Sequence, residues 1–124
     1  MTGYSVEIKE SSKDLSAKER IMLKDTSDAV KLDLACDEEA VIITPASYAV
    51  LNIHNEKSDN KDYENYILQD ENGEKYVTGS PSFWSSFMDI YNEMKEETEK
   101  WSIKAYKLDS KNYKGKQFLT CSII

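Results

Sequence analysis

Apolar and polar side chains alternate along much of this chain, and the period becomes helical in two places. Residues 5–9, Ser-Val-Glu-Ile-Lys, read as a short strand that residues 11–14 break. Ser16 and Glu19 then match a capping box, in which each side chain bonds the other's backbone N–H. They predict a short helix through Lys24, ended by the polar run 25–28. Residues 29–34, Ala-Val-Lys-Leu-Asp-Leu, alternate again and predict a strand, with a turn or loop over residues 36–39. The stretch from Val41 to His54 is long and rich in β-branched residues. Pro45 cannot donate to a ladder, so it predicts a bend, bulge or edge there. Past the bend, Tyr48, Val50, Asn52 and His54 share one face, and Ala49, Leu51 and Ile53 the other.

Residues 56–62 form a polar loop, and 63–70 the next strand. Asn72-Gly73 follows, a strong hairpin signal because both residues tolerate positive φ, and residues 75–79 pair back. Ser80 or Ser82 caps a helix over residues 83–95. Phe83, Phe87, Ile90, Tyr91 and Met94 recur at helical spacing as one apolar stripe, which predicts core packing. Residues 96–100 are a polar exit, and two strand-like runs, 101–109 and 117–124, flank a tip reading Ser-Lys-Asn-Tyr-Lys-Gly-Lys.

From residue 41 the order is bent strand, strand, tight turn, strand, helix, strand, lysine-rich tip, strand. That order predicts a mainly β (α+β) fold: a five-stranded, OB-fold-like Greek-key barrel with one helix between strands 3 and 4. An antiparallel sheet with one packed helix is the competing architecture. Residues 41–124 are the expected core. Residues 1–40 are an N-terminal extension of short helix and strand packed on the same domain.

Composition narrows the function. A 124-residue chain predicts one domain with one core. Its apolar runs are too short to span a bilayer, and no secretion signal is visible, which predicts a cytoplasmic protein that does not bind membranes. Cys36 and Cys121 form no metal-binding spacing and are expected to be reduced. His54, the lone histidine, has no ligand partners at metal spacing. There is no P-loop, nucleophile elbow or zinc motif, so no catalytic residue, metal or cofactor is expected.

Charge is unevenly spread. The chain carries −7, yet five lysines and one acid after residue 100 make that segment +4, which leaves −11 on residues 1–100. Lysines interleaved with aromatics suit a single-stranded nucleic acid, since ammonium groups track phosphates and rings stack on bases. Lys104, Tyr106 and Lys107 on the fourth strand, Lys111, Tyr113, Lys114 and Lys116 in the tip, and Tyr66 and Tyr76 on the middle strands are the candidate contacts. Loops 55–62 and about 109–116 would grip the strand in such a barrel. An acidic protein-interaction module is the alternative. There Asp89, Glu93, Glu96, Glu97 and Glu99 would mimic phosphates and occupy a host protein's DNA site.

Residues 67–80, Ser82-Phe83-Trp84 and the tip 110–116 resemble a group of small single-stranded DNA-binding proteins of bacteriophages and mobile elements in Gram-positive hosts. The resemblance lies in element order and loop character. It implies an OB-fold, single-stranded DNA as ligand, work alongside replication or recombination proteins, and a bacterial cytoplasm. It leaves the oligomeric state open, a homodimer included. Cellular single-strand-binding proteins end in a disordered acidic tail with a terminal Phe. This chain ends Cys121-Ser122-Ile123-Ile124, so tail-mediated recruitment is not implied.

Overall fold

The computed structural model describes residues 3–57, 59, 61–109 and 115–124. In chain order the elements are β1 (Tyr4–Ser11), α1 (Ala17–Lys24), β2 (Val30–Lys31), α2 (Leu32–Glu38), β3 (Val41–Ile43), β4 (Pro45–Asn55), β5 (Asp62–Asp70), β6 (Lys75–Thr78), α3 (Pro81–Met94), β7 (Ile103–Asp109) and β8 (Gln117–Ile123). Strand outweighs helix, 44% against 25% of the described residues, which makes the chain mainly β. Among the described residues the strands form two sheets, ordered β1-β4-β5-β6-β2 and β3-β7-β8, and no barrel closes. Two features oppose closure. The N-terminal strand β1 occupies one edge of β4, from Tyr4 opposite Asn55 to Ser11 opposite Ala49. Helix α3 packs against the edge strand β8. The bend at Pro45 is present in another form, because β3 pairs in one sheet and β4 in the other.

The chain divides into two compact units, Met1–Val30 with Ala46–Gly79, and Lys31–Pro45 with Ser80–Ile124. Residues 1–40, expected as one extension, are therefore shared between both.

In the first unit Ala49, Leu51, Ile53, Ile67 and Val77 form a buried cluster, with Val6, Ile8, Leu23, Ala29 and Tyr63 packed against it. Leu23 is the contribution of α1. That helix starts as expected: the Glu19 N–H donates to Ser16 Oγ at 3.2 Å, and the Ser16 N–H to Glu19 Oε1 at 3.0 Å. Its other end is held by Lys75, whose Nζ donates to the carbonyls of Met22 and Asp25 at 2.8 and 2.9 Å. A cation there suits the negative end of the helix dipole.

The β5–β6 hairpin forms where Asn72-Gly73 predicts it, but with a different turn. Gly73 alone takes a positive φ, +86°, and Asn72 does not. The Gly73 N–H donates to the Asp70 carbonyl at 3.0 Å, and the Asp70 carboxylate accepts the N–H groups of Asn72 and Glu74 at 2.9 and 3.0 Å. The Asp70 side chain thus builds the loop, which frees Asn72 from the left-handed conformation.

In the second unit Ile43, Ile103, Ala105, Leu119 and Cys121 are buried. Helix α2 packs on β7, with Cys36 Sγ 3.4 Å from the Ala105 carbonyl. The strand expected over 29–34 is present only as Val30–Lys31, and this helix replaces its remainder and the loop expected over 36–39. Leu32 and Cys36, one helical turn apart, are both buried, whereas Leu34, which a strand would have placed beside Leu32, is 64% exposed. The period-two pattern was too short to separate these cases. Helix α3 follows expectation. Ser80 caps it, accepting the Phe83 N–H at 3.2 Å, and Pro81 occupies the first turn, where a missing N–H costs nothing. Phe83 and Phe87 are fully buried. The rings of Trp84, Tyr91 and Trp101 surround Phe87 at 5.0, 6.0 and 6.3 Å. Against β8, Ser82 Oγ donates to the Leu119 carbonyl at 2.7 Å. Ser86 Oγ lies 3.0 Å from Thr120 Oγ1.

Candidate nucleic-acid interface

Strand β7 alternates between two environments. Ile103 and Ala105 are fully buried, and Lys104 and Tyr106 point the other way. The register decides which residues join them. Ile42 of β3 and Ser122 of β8 flank Lys104, Thr120 lies opposite Tyr106, and Phe118 opposite Leu108. Residues opposite each other share a face, so Ile42, Lys104, Tyr106, Leu108 and Phe118 line the outer face of this sheet together with Ser122 and with Thr120, which α3 covers through Ser86. Three of these are apolar and open to solvent: Ile42 is 53% exposed, Leu108 44% and Phe118 39%. Isolated exposed apolar residues are ordinary, and their sharing one sheet face makes that face a candidate surface.

Two polar contacts organise the face. The Tyr106 hydroxyl lies 2.7 Å from Ser122 Oγ, which fixes the ring against the strand next to it. Lys104 Nζ sits 5.3 Å from the centre of that ring, within the range of a cation–π contact. Tyr106 and Phe118 are diagonal neighbours across the β7–β8 ladder, a relationship that sets residues about 7–8 Å apart.

The expected contact residues separate. Lys104 and Tyr106 lie on the outer face, and Lys116 is exposed just before β8. Lys107 is half-buried and paired with Asp37 of α2; that hydrogen bond raises its pKa and spends its charge. Lys111, Tyr113 and Lys114 lie outside the described residues. Tyr66 and Tyr76 share a face of the β5–β6 hairpin and belong to the first unit, whereas Lys104 and Tyr106 belong to the second. Tyr66 is buried, and its hydroxyl donates to Glu64 at 3.2 Å. Tyr76 is half-buried, and desolvation raises its pKa. Phe118, Leu108 and Ile42 were not among the expected contacts. Pairing residues 101–109 with 117–124 by parity gives the signal for Phe118, since it shares the parity of Tyr106 in the observed register.

Other reactive groups are accounted for locally. His54 sits between two carboxylates, with Nδ1 2.7 Å from Asp62 and Nε2 2.7 Å from Glu56, and these hydrogen bonds raise its pKa. No group of three metal-ligating side chains gathers among the described residues. Both thiols are free and buried, and desolvation pushes that of Cys121 up to about 12. Asp89, Glu93, Glu96, Glu97 and Glu99 are all exposed. Among the described residues, no helix is long and apolar enough to cross a membrane. Comparison with protein-family models, with curated proteins and with solved structures finds no match.

Proposed function

We propose that this chain is a non-enzymatic binder of single-stranded DNA, acting in replication or recombination in a phage or mobile element, and that the strand lies on the outer face of the three-stranded sheet. The observation that carries this reading is Lys104 held over the Tyr106 ring, on the sheet face that also bears exposed Phe118. A fixed ring loses little freedom when a base stacks on it, and an ammonium group beside it can meet the adjoining phosphate. The same strands run into the lysine-rich connection, where Lys116 is exposed and the sequence places Lys111, Tyr113 and Lys114. An OB-like framework fits this reading through two features of connectivity: the stretch broken at Pro45 serves both sheets, and α3 falls between β6 and β7.

The test is a titration of fluorescent oligo(dT) at two salt concentrations, with duplex as competitor. Neutralising about four phosphates gives a log–log salt slope of roughly −3 on a single strand. Absence of binding at low salt overturns the proposal. It would leave the exposed acids at the end of α3 and beyond as the better candidate surface, for a protein partner.

A further inference from the structure

We propose that a cleft in the first unit, between α1 and the sheet, binds an uncharged planar heterocycle of nucleobase size that offers a hydrogen-bond donor next to an acceptor. This site is separate from the nucleic-acid face and does not depend on it. The cleft exists because α1 covers the sheet incompletely. Its eight residues include no buried one, and Leu23 is the side chain it packs on the core cluster. The space left has a volume of about 220 Å³. A cavity of about 150 Å³ accommodates benzene, and drug-sized ligands take about 300 Å³ or more. The cleft therefore suits one ring or two fused rings.

Its walls state the rest. Leu23 offers apolar surface for a ring above the fully buried Ile67, and exposed Met22 stands at the edge. Gln69, two residues beyond Ile67 on β5, brings a half-buried carboxamide to the same face of the strand. That carboxamide bonds no side chain or backbone group among the described residues, and its polar atoms are open to solvent. It offers one acceptor and two donors, the complement of a heterocycle edge with an adjacent donor and acceptor.

The charged groups that line the cleft are already balanced. Lys75 lies 3.8 Å from the Asp28 carboxylate and donates to two carbonyls at the end of α1, and Lys13 and Glu19 pair across 3.5 Å. An ionic ligand finds no unbalanced counter-charge, whereas a neutral one meets a free amide and an apolar wall.

Free adenine and benzene, titrated separately into ¹⁵N-labelled protein, test the inference. Adenine is expected to shift the backbone signals of Leu23, Ile67 and Gln69, and to bind at least tenfold more tightly than benzene. Gln69→Leu is expected to weaken adenine tenfold or more while benzene is kept or improved. Gln69→Ala serves the same purpose if leucine disturbs the fold, which the dispersed spectrum of the free variant reports. Failure of millimolar adenine to shift these residues, or full adenine affinity in the Gln69 variants, overturns the proposal. Equal affinity for adenine and benzene also overturns it, because the carboxamide would then read nothing.

Discussion

The carboxylate of Asp37 holds the ammonium group of Lys107. One of the lysines that the sequence offers to a phosphate backbone is therefore neutralised within the fold, by a residue of α2 that the sequence reads as loop. Lys107→Ala is expected to leave the salt slope of oligo(dT) binding unchanged. Asp37→Ala is expected to leave it unchanged too, because Lys107 shares the face of Ile103 and Ala105 and not that of Lys104. A flatter slope in Lys107→Ala would show that the lysine leaves Asp37 when DNA binds.

Phe87 is the centre of the second unit's aromatic core, fully buried among Phe83, Trp84, Tyr91 and Trp101. Phe87→Ala removes the ring on which the others converge. It is expected to cost about 3–5 kcal/mol, through lost burial and the cavity left behind. Thermal or urea unfolding measures it. Binding per folded molecule should be unaltered, because this cluster lies inside and the proposed contacts lie on the outer face. An unchanged melting temperature would exclude the stripe as core.

Asp70 is buried at the β5–β6 turn and accepts the N–H groups of Asn72 and Glu74. Asp70→Ala leaves two backbone donors without their partner and is expected to cost about 1.5–3 kcal/mol, the range for hydrogen bonds to a charged group. Urea midpoints at constant m-value check this. Gly73→Ala should also destabilise, through its left-handed φ of +86° and not through crowding, since a Cβ there would meet nothing within 4 Å.

His54 gives the molecule a pH signature. Hydrogen bonds that its ring donates to Asp62 and Glu56 raise its pKa in the folded state. The stability it contributes is fully present below its unfolded pKa, about 6.5. That contribution is lost as pH rises through the higher folded value. Being the lone histidine, its ring signals can be followed by NMR, and the midpoint is expected above the ordinary value. His54→Gln should remove this part of the pH dependence of unfolding. A midpoint at or below the ordinary value would show that the two carboxylates do not hold the ring in solution.

The elements with strong local chemistry were legible in the sequence. Ser16 with Glu19, Asn72-Gly73, Ser80-Pro81 and the stripe through Phe83 and Phe87 each state a preference that no distant contact reverses. Residues 30–31 do form the strand β2, but the expected strand stops there, because a short alternating run fits a strand as well as the start of a helix. The choice fell to burial of Leu32 and Cys36, a tertiary effect. Closure of a barrel was not legible either, because it depends on which strand takes each edge, and the edge of β4 goes to β1 from the far end of the chain. Within the site, the outward direction of Lys104 and Tyr106 follows from parity with Ile103. The pairing of Lys107 with Asp37 spans 70 residues and leaves no trace in local pattern.

Charge and contact can be separated on the outer face. Lys104 and Tyr106 lie two residues apart on β7, ammonium over ring, so neither substitution is innocent of the other. If the ring stacks on a base, Tyr106→Ala should lose about 1–3 kcal/mol of oligo(dT) binding with the salt slope kept. Tyr106→Phe removes the bond to Ser122 but keeps the ring, so it should retain most of the affinity. Phe118→Ala should lose a similar amount by the same mechanism. Lys104→Ala should lose less affinity and flatten the slope by about 0.7, because one phosphate contact goes. Lys104→Arg should restore both, since charge and the cation–π contact return together. Stability should change little in Lys104→Ala, whose side chain is exposed. The opposite pattern, with Tyr106→Ala and Phe118→Ala melting early yet binding normally per folded molecule, would make the aromatic pair part of the sheet's packing and remove it from the binding surface.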